Sequence, residues 1–107
     1  MSKKIKVIIK QPDMVPYVTY ISNKLENLQK TVDGYIETVT ITVDMVIIRD
    51  EEGRLKNKPY NCTVCGVDFV GTIIFAGVDN ESFTDIPIEF KNFKKLFSNL
   101  WETIKND

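Results

Sequence analysis

Asn23-Lys-Leu-Glu-Asn-Leu-Gln-Lys-Thr-Val-Asp-Gly34-Tyr-Ile-Glu-Thr-Val-Thr-Ile-Thr-Val-Asp-Met45-Val-Ile-Ile48 reads as a short capped helix, a glycine stop, a strand, a tight turn and a second strand. Asn23 with Glu26 three residues on has the spacing of a capping box. Leu25, Leu28 and Val32 recur at helical intervals and give that helix one apolar face. Gly34 stands where a left-handed residue ends a helix, a conformation glycine takes without steric penalty. Beyond it, Tyr35, Glu37, Val39 and Ile41 alternate with Ile36, Thr38, Thr40 and Thr42, the period of a strand. Met45 to Ile48 is an almost unbroken apolar run, as expected of a strand covered on both faces.

Working outward, Lys4 to Lys10 alternates as a first strand, with Ile5, Val7 and Ile9 on one face. Gln11-Pro12-Asp13 and Pro16 turn the chain back into Tyr17 to Ile21, a hairpin partner. On the other side, Asp50-Glu51-Glu52-Gly53 has the composition of a turn, and Arg54 to Asn61, polar and carrying Pro59, reads as a loop. Asp68 to Val78 is the next strand, with Gly71 inside it marking a bulge or a close backbone approach. Asp79 to Ser82 is a further turn. From about Ile86 to Ile104, Phe90, Phe93, Phe97, Leu100 and Ile104 fall at helical spacing, with Trp101 beside them and Lys91, Lys94, Lys95 and Lys105 off the stripe. That aromatic stripe is the packing face of a helix on a sheet. The order strand, strand, helix, three strands, helix predicts a single α+β domain. Its sheet is mostly antiparallel, with both helices on one face.

Composition narrows the function. At 107 residues the chain can bury one core without disulfides or metals. Fourteen basic and fifteen acidic side chains leave a net charge of -1, which suits neither a duplex-DNA binder nor an acidic DNA mimic. There is no apolar run long enough to span a bilayer. Met-Ser-Lys-Lys leads straight into a strand pattern without a signal peptide, and two closely spaced cysteines suit a reducing compartment, so a cytoplasmic location is expected. With no histidine in the sequence, Ser-His-Asp and Cys-His constellations are impossible. No Walker A loop or dinucleotide fingerprint is present.

Cys62-Thr-Val-Cys65-Gly66 is the sharpest local motif. It has the form of one knuckle of a zinc or iron site, which needs four thiolates, so two copies in a homodimer would have to share it. A redox CxxC belongs at a helix start, and this one precedes a strand. Two free thiols are the plainer reading. Asp50, Glu51 and Glu52, with Arg49, Arg54, Lys56 and Lys58 around them, combine acceptors and donors in one short arc, although a solvated turn has the same composition. An enzyme relying on Glu37, Glu51 and Glu52 would need two carboxylates held at a working separation. The candidate ligand-binding set is Tyr35, Glu37, Glu51, Glu52, Arg54, Lys56, Lys58, Tyr60 and Asn61, in which Tyr35 and Tyr60 supply aromatic platforms. The expectation is a non-enzymatic binding protein without a cofactor, the alternative being zinc or redox chemistry at Cys62 and Cys65.

Leu28-Gln29-Lys30, Gly34-Tyr35-Ile36-Glu37, Glu51-Glu52-Gly53-Arg54-Leu55, Pro59, Asn61 and Asp68-Phe69-Val70-Gly71-Thr72 together carry a resemblance over about residues 5 to 80. The chain resembles a family of small proteins of unknown function encoded by bacteriophages, plasmids and Firmicutes genomes. Members of that family usually have Asn where this chain has Asp50, and neither the cysteine pair nor the terminal helix belongs to the resemblance. It implies a mobile-element accessory protein in the cytoplasm of a bacterial host, with no reaction attached. Such a protein would act against host defence by occupying a host protein or sequestering a nucleotide-like signal.

Overall fold

The structure, a computed structural model, describes residues 3–102. Its elements are β1 (Lys4–Lys10), β2 (Tyr17–Ser22), α1 (Leu25–Val32), β3 (Ile36–Thr42), β4 (Met45–Asp50), β5 (Tyr60–Val64), β6 (Val67–Val70), β7 (Ile73–Asp79), β8 (Ser82–Thr84) and α2 (Phe90–Leu96), followed by a 3₁₀ helix, Ser98–Trp101. The main sheet runs β2-β1-β7-β4-β3 with every neighbour antiparallel, and β8 pairs with the far end of β7. β5 and β6 form a separate hairpin. The chain is therefore α+β with a mostly antiparallel sheet, as its patterning predicts.

The helices lie on opposite faces of that sheet, not on one. Ile5, Val7, Ile9, Val46, Ile48, Ile74 and Ala76 pack against Leu28 and Val32 of α1. The intervening residues Ile8, Ile47, Ile73 and Phe75 pack against Cys62, Val64 and Phe69 of the hairpin and against Phe93 and Leu100. The physical reason is that β1, β4 and β7 are apolar on both faces, and each face must be covered. Burying one such side chain stabilises by about 1.5–3 kcal/mol, so neither layer is optional. Phe93 meets Phe75 edge-on, with centroids 4.9 Å apart.

Several element boundaries differ from those expected, and the stretch Asp79 to Ser82, expected as a turn, runs from the end of β7 to the start of β8. The strand expected over Asp68 to Val78 is two strands, broken at Gly71, whose φ of 72° turns the chain from the hairpin into the sheet. The loop expected to run to Asn61 ends at Pro59, and Tyr60 already belongs to β5. The helix expected from Ile86 starts at Phe90 and gives way after Leu96 to the 3₁₀ helix, where Asn99 donates a hydrogen bond to the Thr63 carbonyl of the hairpin. The expected end of that helix, with Ile104 and Lys105, lies outside the described residues.

Candidate binding site

Asp50 ends β4 on the face covered by α1, and its side chain is 2% exposed. Its carboxylate accepts hydrogen bonds from the Glu52 N–H at 2.9 Å, from Lys56 Nζ at 2.9 Å, and from Lys58 Nζ at 2.7 Å. Burial pushes the carboxyl upward, but the bonds from Lys58, Lys56 and Glu52, with the Lys58 charge, outweigh it and hold the group down at about 2. The hydrogen bond to Asp50 in turn raises the Lys56 ammonium above its usual value.

The same two lysines close the end of α1. Lys58 Nζ donates to the Val32 and Asp33 carbonyls, both at 2.8 Å, and Lys56 Nζ donates to the Asp33 carbonyl at 3.1 Å. These carbonyls have no partner within the helix, and cations are favoured at its negative end. An ammonium has three protons to donate. Lys58 has placed all three, which makes it structural; Lys56 has one left.

This arrangement corrects the expected helix ends. Asp33, not Gly34, takes the left-handed conformation, with φ 61°. Gly34 is required for another reason: a Cβ there would overlap the Asp50 carboxylate. At the other end Lys24 is the N-cap residue and no side chain caps it, so the capping box does not form. Asn23 instead donates to the Phe83 carbonyl, tying the helix entry to β8.

Residues 51–57 form consecutive turns on this base. Gly53 N–H bonds back to the Asp50 carbonyl, Lys58 N–H to the Gly53 carbonyl, and Glu51 N–H to the Tyr35 carbonyl. Between this turn and the outer side of α1 lies an open cleft of about 330 Å³ lined by Glu26, Gln29, Lys30, Gly34, Tyr35, Glu52 and Lys56. Tyr35 is 67% exposed there. On the other side of the turn Arg49, Glu51, Arg54 and Leu55 line a smaller recess of about 80 Å³.

Of the residues singled out from sequence, Tyr35, Glu52 and Lys56 share the cleft. Glu51 and Arg54 meet in the smaller recess, and the others are dispersed. Glu37 faces Arg49 across the β3–β4 pair at 3.5 Å. Arg54 donates to the Asp68 carbonyl, and Tyr60 bonds Thr63 through its hydroxyl. Asn61 is buried, accepts from Lys10 Nζ, and donates to the Lys10 and Gly71 carbonyls. Cys62 is buried in the core, and burial pushes its thiol up to about 11, whereas Cys65 is exposed. Glu37, Glu51 and Glu52 do not converge on one pocket. Glu26, Gln29 and Lys30 are not among the candidates named from sequence, although their i, i+3, i+4 spacing on a helix places them on one face. Asp50 stands in sequence as one of three adjacent acids with the composition of a solvated turn, and no local signal distinguishes it from Glu51.

The chain belongs to the family described as a domain of unknown function (DUF3846), which matches residues 5–98. That match passes beyond residue 80 and takes in α2. No curated protein and no solved structure matches the chain.

Proposed function

We propose that this protein is a non-enzymatic binder that takes a small nucleotide-like ligand in the cleft between α1 and the 51–57 turn. The observation that carries this reading is Tyr35, a residue 67% exposed on the wall of a concave site instead of packed into the core. An exposed aromatic face offers a stacking platform for a base. Lys30 and the remaining donor of Lys56 suit a phosphate, and Glu26, Glu52 and Gln29 suit the amino and imino edges of a nucleobase. The Asp50–Lys56–Lys58 cluster keeps one wall fixed relative to the other, so little ordering is required on binding.

The resemblance to proteins of phages and plasmids supplies a setting, the bacterial cytoplasm, where capture of a nucleotide signal would blunt a host defence. A second reading, contact with a host protein, is favoured by Leu55, which stands 82% exposed at the tip of the same turn. Native mass spectrometry of protein purified from bacteria, followed by titration with mono- and cyclic dinucleotides, tests the first reading. A retained or titrated nucleotide is expected, with affinity reduced at least tenfold by Tyr35→Ala or Lys30→Ala in variants that melt like wild type. Absence of nucleotide binding, together with loss of host-protein capture in Leu55→Asp, would move the assignment to the second reading.

A further inference from the structure

We infer that the open edge of β2 pairs with β2 of a second copy, joining two sheets into one across a two-fold axis. β2 ends the sheet, and beyond β1 no strand pairs with it among the described residues. An edge strand presents backbone donors and acceptors to any passing strand, and natural edges are blunted with charges, prolines or bulges. Within Tyr17–Ser22 β2 has none of these, and the nearest proline, Pro16, stands just before its first residue. The whole run from Met14 to Asn23 lacks a charged side chain, in a chain where 27% of residues are charged. Its register with β1 is unbroken from Lys4↔Ser22 to Ile9↔Tyr17. Met14, Val15, Tyr17 and Tyr20 gather on or beside it, 39% to 59% exposed. The opposite edge, β3, is blunted by a register shift between Thr40 and Thr42 and by Glu37.

The occupant is a second copy because the strand complements itself. In an antiparallel pair the residues directly opposite share a face of the sheet. A two-fold axis at Thr19 therefore sets Val18 opposite Tyr20 and Tyr17 opposite Ile21, pairs of aromatic and branched side chains of the kind that stabilise sheets. No charge meets another across the axis. The nearest cation, Lys6, lies one strand inward opposite Tyr20. Its copy in the partner would be about 14 Å away or more, beyond the screening length in physiological salt. A charged peptide from another protein would find no counter-charge along this edge.

Sedimentation of the full chain tests the proposal, with a mass of twice 12.3 kDa expected. Thr19→Lys, which sets two ammoniums against each other at the axis, should return the 12.3 kDa species with the fold intact by circular dichroism, while Thr38→Lys on β3 leaves the dimer in place. Thr19→Cys in a Cys65→Ser background should form a cross-linked dimer under mild oxidation, a readout that does not depend on tolerating a lysine. A monomeric wild type would overturn the proposal. So would a dimer that resists Thr19→Lys, a dimer that dissociates with Thr38→Lys, or failure of the Thr19→Cys variant to cross-link.

Discussion

A single carboxylate organises the end of the molecule where the cleft lies. Asp50 offers its oxygens to two lysines that also hold the end of α1, so removing it leaves Lys58, 13% exposed, with only the solvent-exposed Asp33 carboxylate 3.8 Å away. Breaking a buried pair from one side costs about 3–5 kcal/mol. Asp50→Ala is expected at the low end of that range, read as a melting temperature more than 10 °C lower. Asp50→Asn, which keeps one acceptor oxygen, should lose less. The acid response follows from the same group. Its carboxyl sits at about 2 in the fold and near 3.9 in the unfolded chain, so falling pH protonates the unfolded state first. The contribution, up to about 2 kcal/mol, is complete above pH 5 and is lost as pH falls from about 4 through 2. Denaturant midpoints measured across that window should fall more steeply in wild type than in Asp50→Asn. Gly34 belongs to the same contact. Gly34→Ala alone should destabilise because its methyl overlaps the carboxylate. Combined with Asp50→Ala it should cost much less than the two changes added, a coupling that a double-mutant cycle measures. Additive effects would show that Gly34 serves the backbone instead.

The elements show why local signals misplaced some boundaries. α1 has eight residues and no side-chain N-cap, too short to persist alone in water. Leu28 and Val32 buried against the sheet, and lysines reaching its last carbonyls from residues 56 and 58, hold it in place. The hairpin of β5 and β6 turns through Cys65 and Gly66, with φ 51° and 80°, between the paired Val64 and Val67. Two successive positive φ angles match the right-handed twist of a two-residue hairpin, and the glycine after Cys65 serves that geometry. The CxxCG motif is thus a strand end followed by a turn, with one thiol in the core and the other at the tip. Thiolate reactivity depends on access and on a low pKa, and Cys62 has neither. A maleimide probe should label Cys65 rapidly in the folded protein and Cys62 only after denaturant is added. Rapid labelling of both would put the two sulfurs in one exposed loop.

At the scale of the molecule, the hairpin layer is tied to the main sheet through a buried polar cluster of Lys10 and Asn61. Lys10, fully buried at the end of β1, donates to the Gln11 carbonyl and to Asn61 Oδ1, and desolvation lowers its ammonium pKa. Asn61 returns a bond to the Lys10 carbonyl and another to Gly71 at the corner between layers. Asn61→Ala would leave a buried ammonium and two carbonyls short of partners, each costing about 1–3 kcal/mol. The expected result is a loss of roughly 2 kcal/mol or more, accompanied by faster hydrogen exchange in β5 and β6 than in β4. Unchanged exchange in the hairpin would place its anchorage entirely in the apolar contacts of Phe69, Cys62 and Val64.

Periodicity alone determined much of this architecture, because the alternation of Ile5, Val7 and Ile9 and the unbroken run from Met45 to Ile48 depend only on which side chains water rejects. From it follow β1 to β4, the apolar run of β7, the first helix and the α+β class, whereas β5 and β8 carry no such pattern. It could not say which layer covers which face: β1, β4 and β7 are apolar on both sides, and only packing decides that α1 takes one face while the hairpin and α2 take the other. Tyr35, Glu52 and Lys56 were legible as surface residues of a turn and a strand end. Their meeting with Glu26, Gln29 and Lys30 was not, since it needs α1 seated on the sheet and Lys56 and Lys58 reaching its last carbonyls from about 25 residues further along the chain. Asp50, Glu51 and Glu52 are chemically alike in sequence. Tertiary structure alone buries the first beside two lysines and leaves the other two in water, because charge is tolerated inside a protein only where the fold brings it a partner.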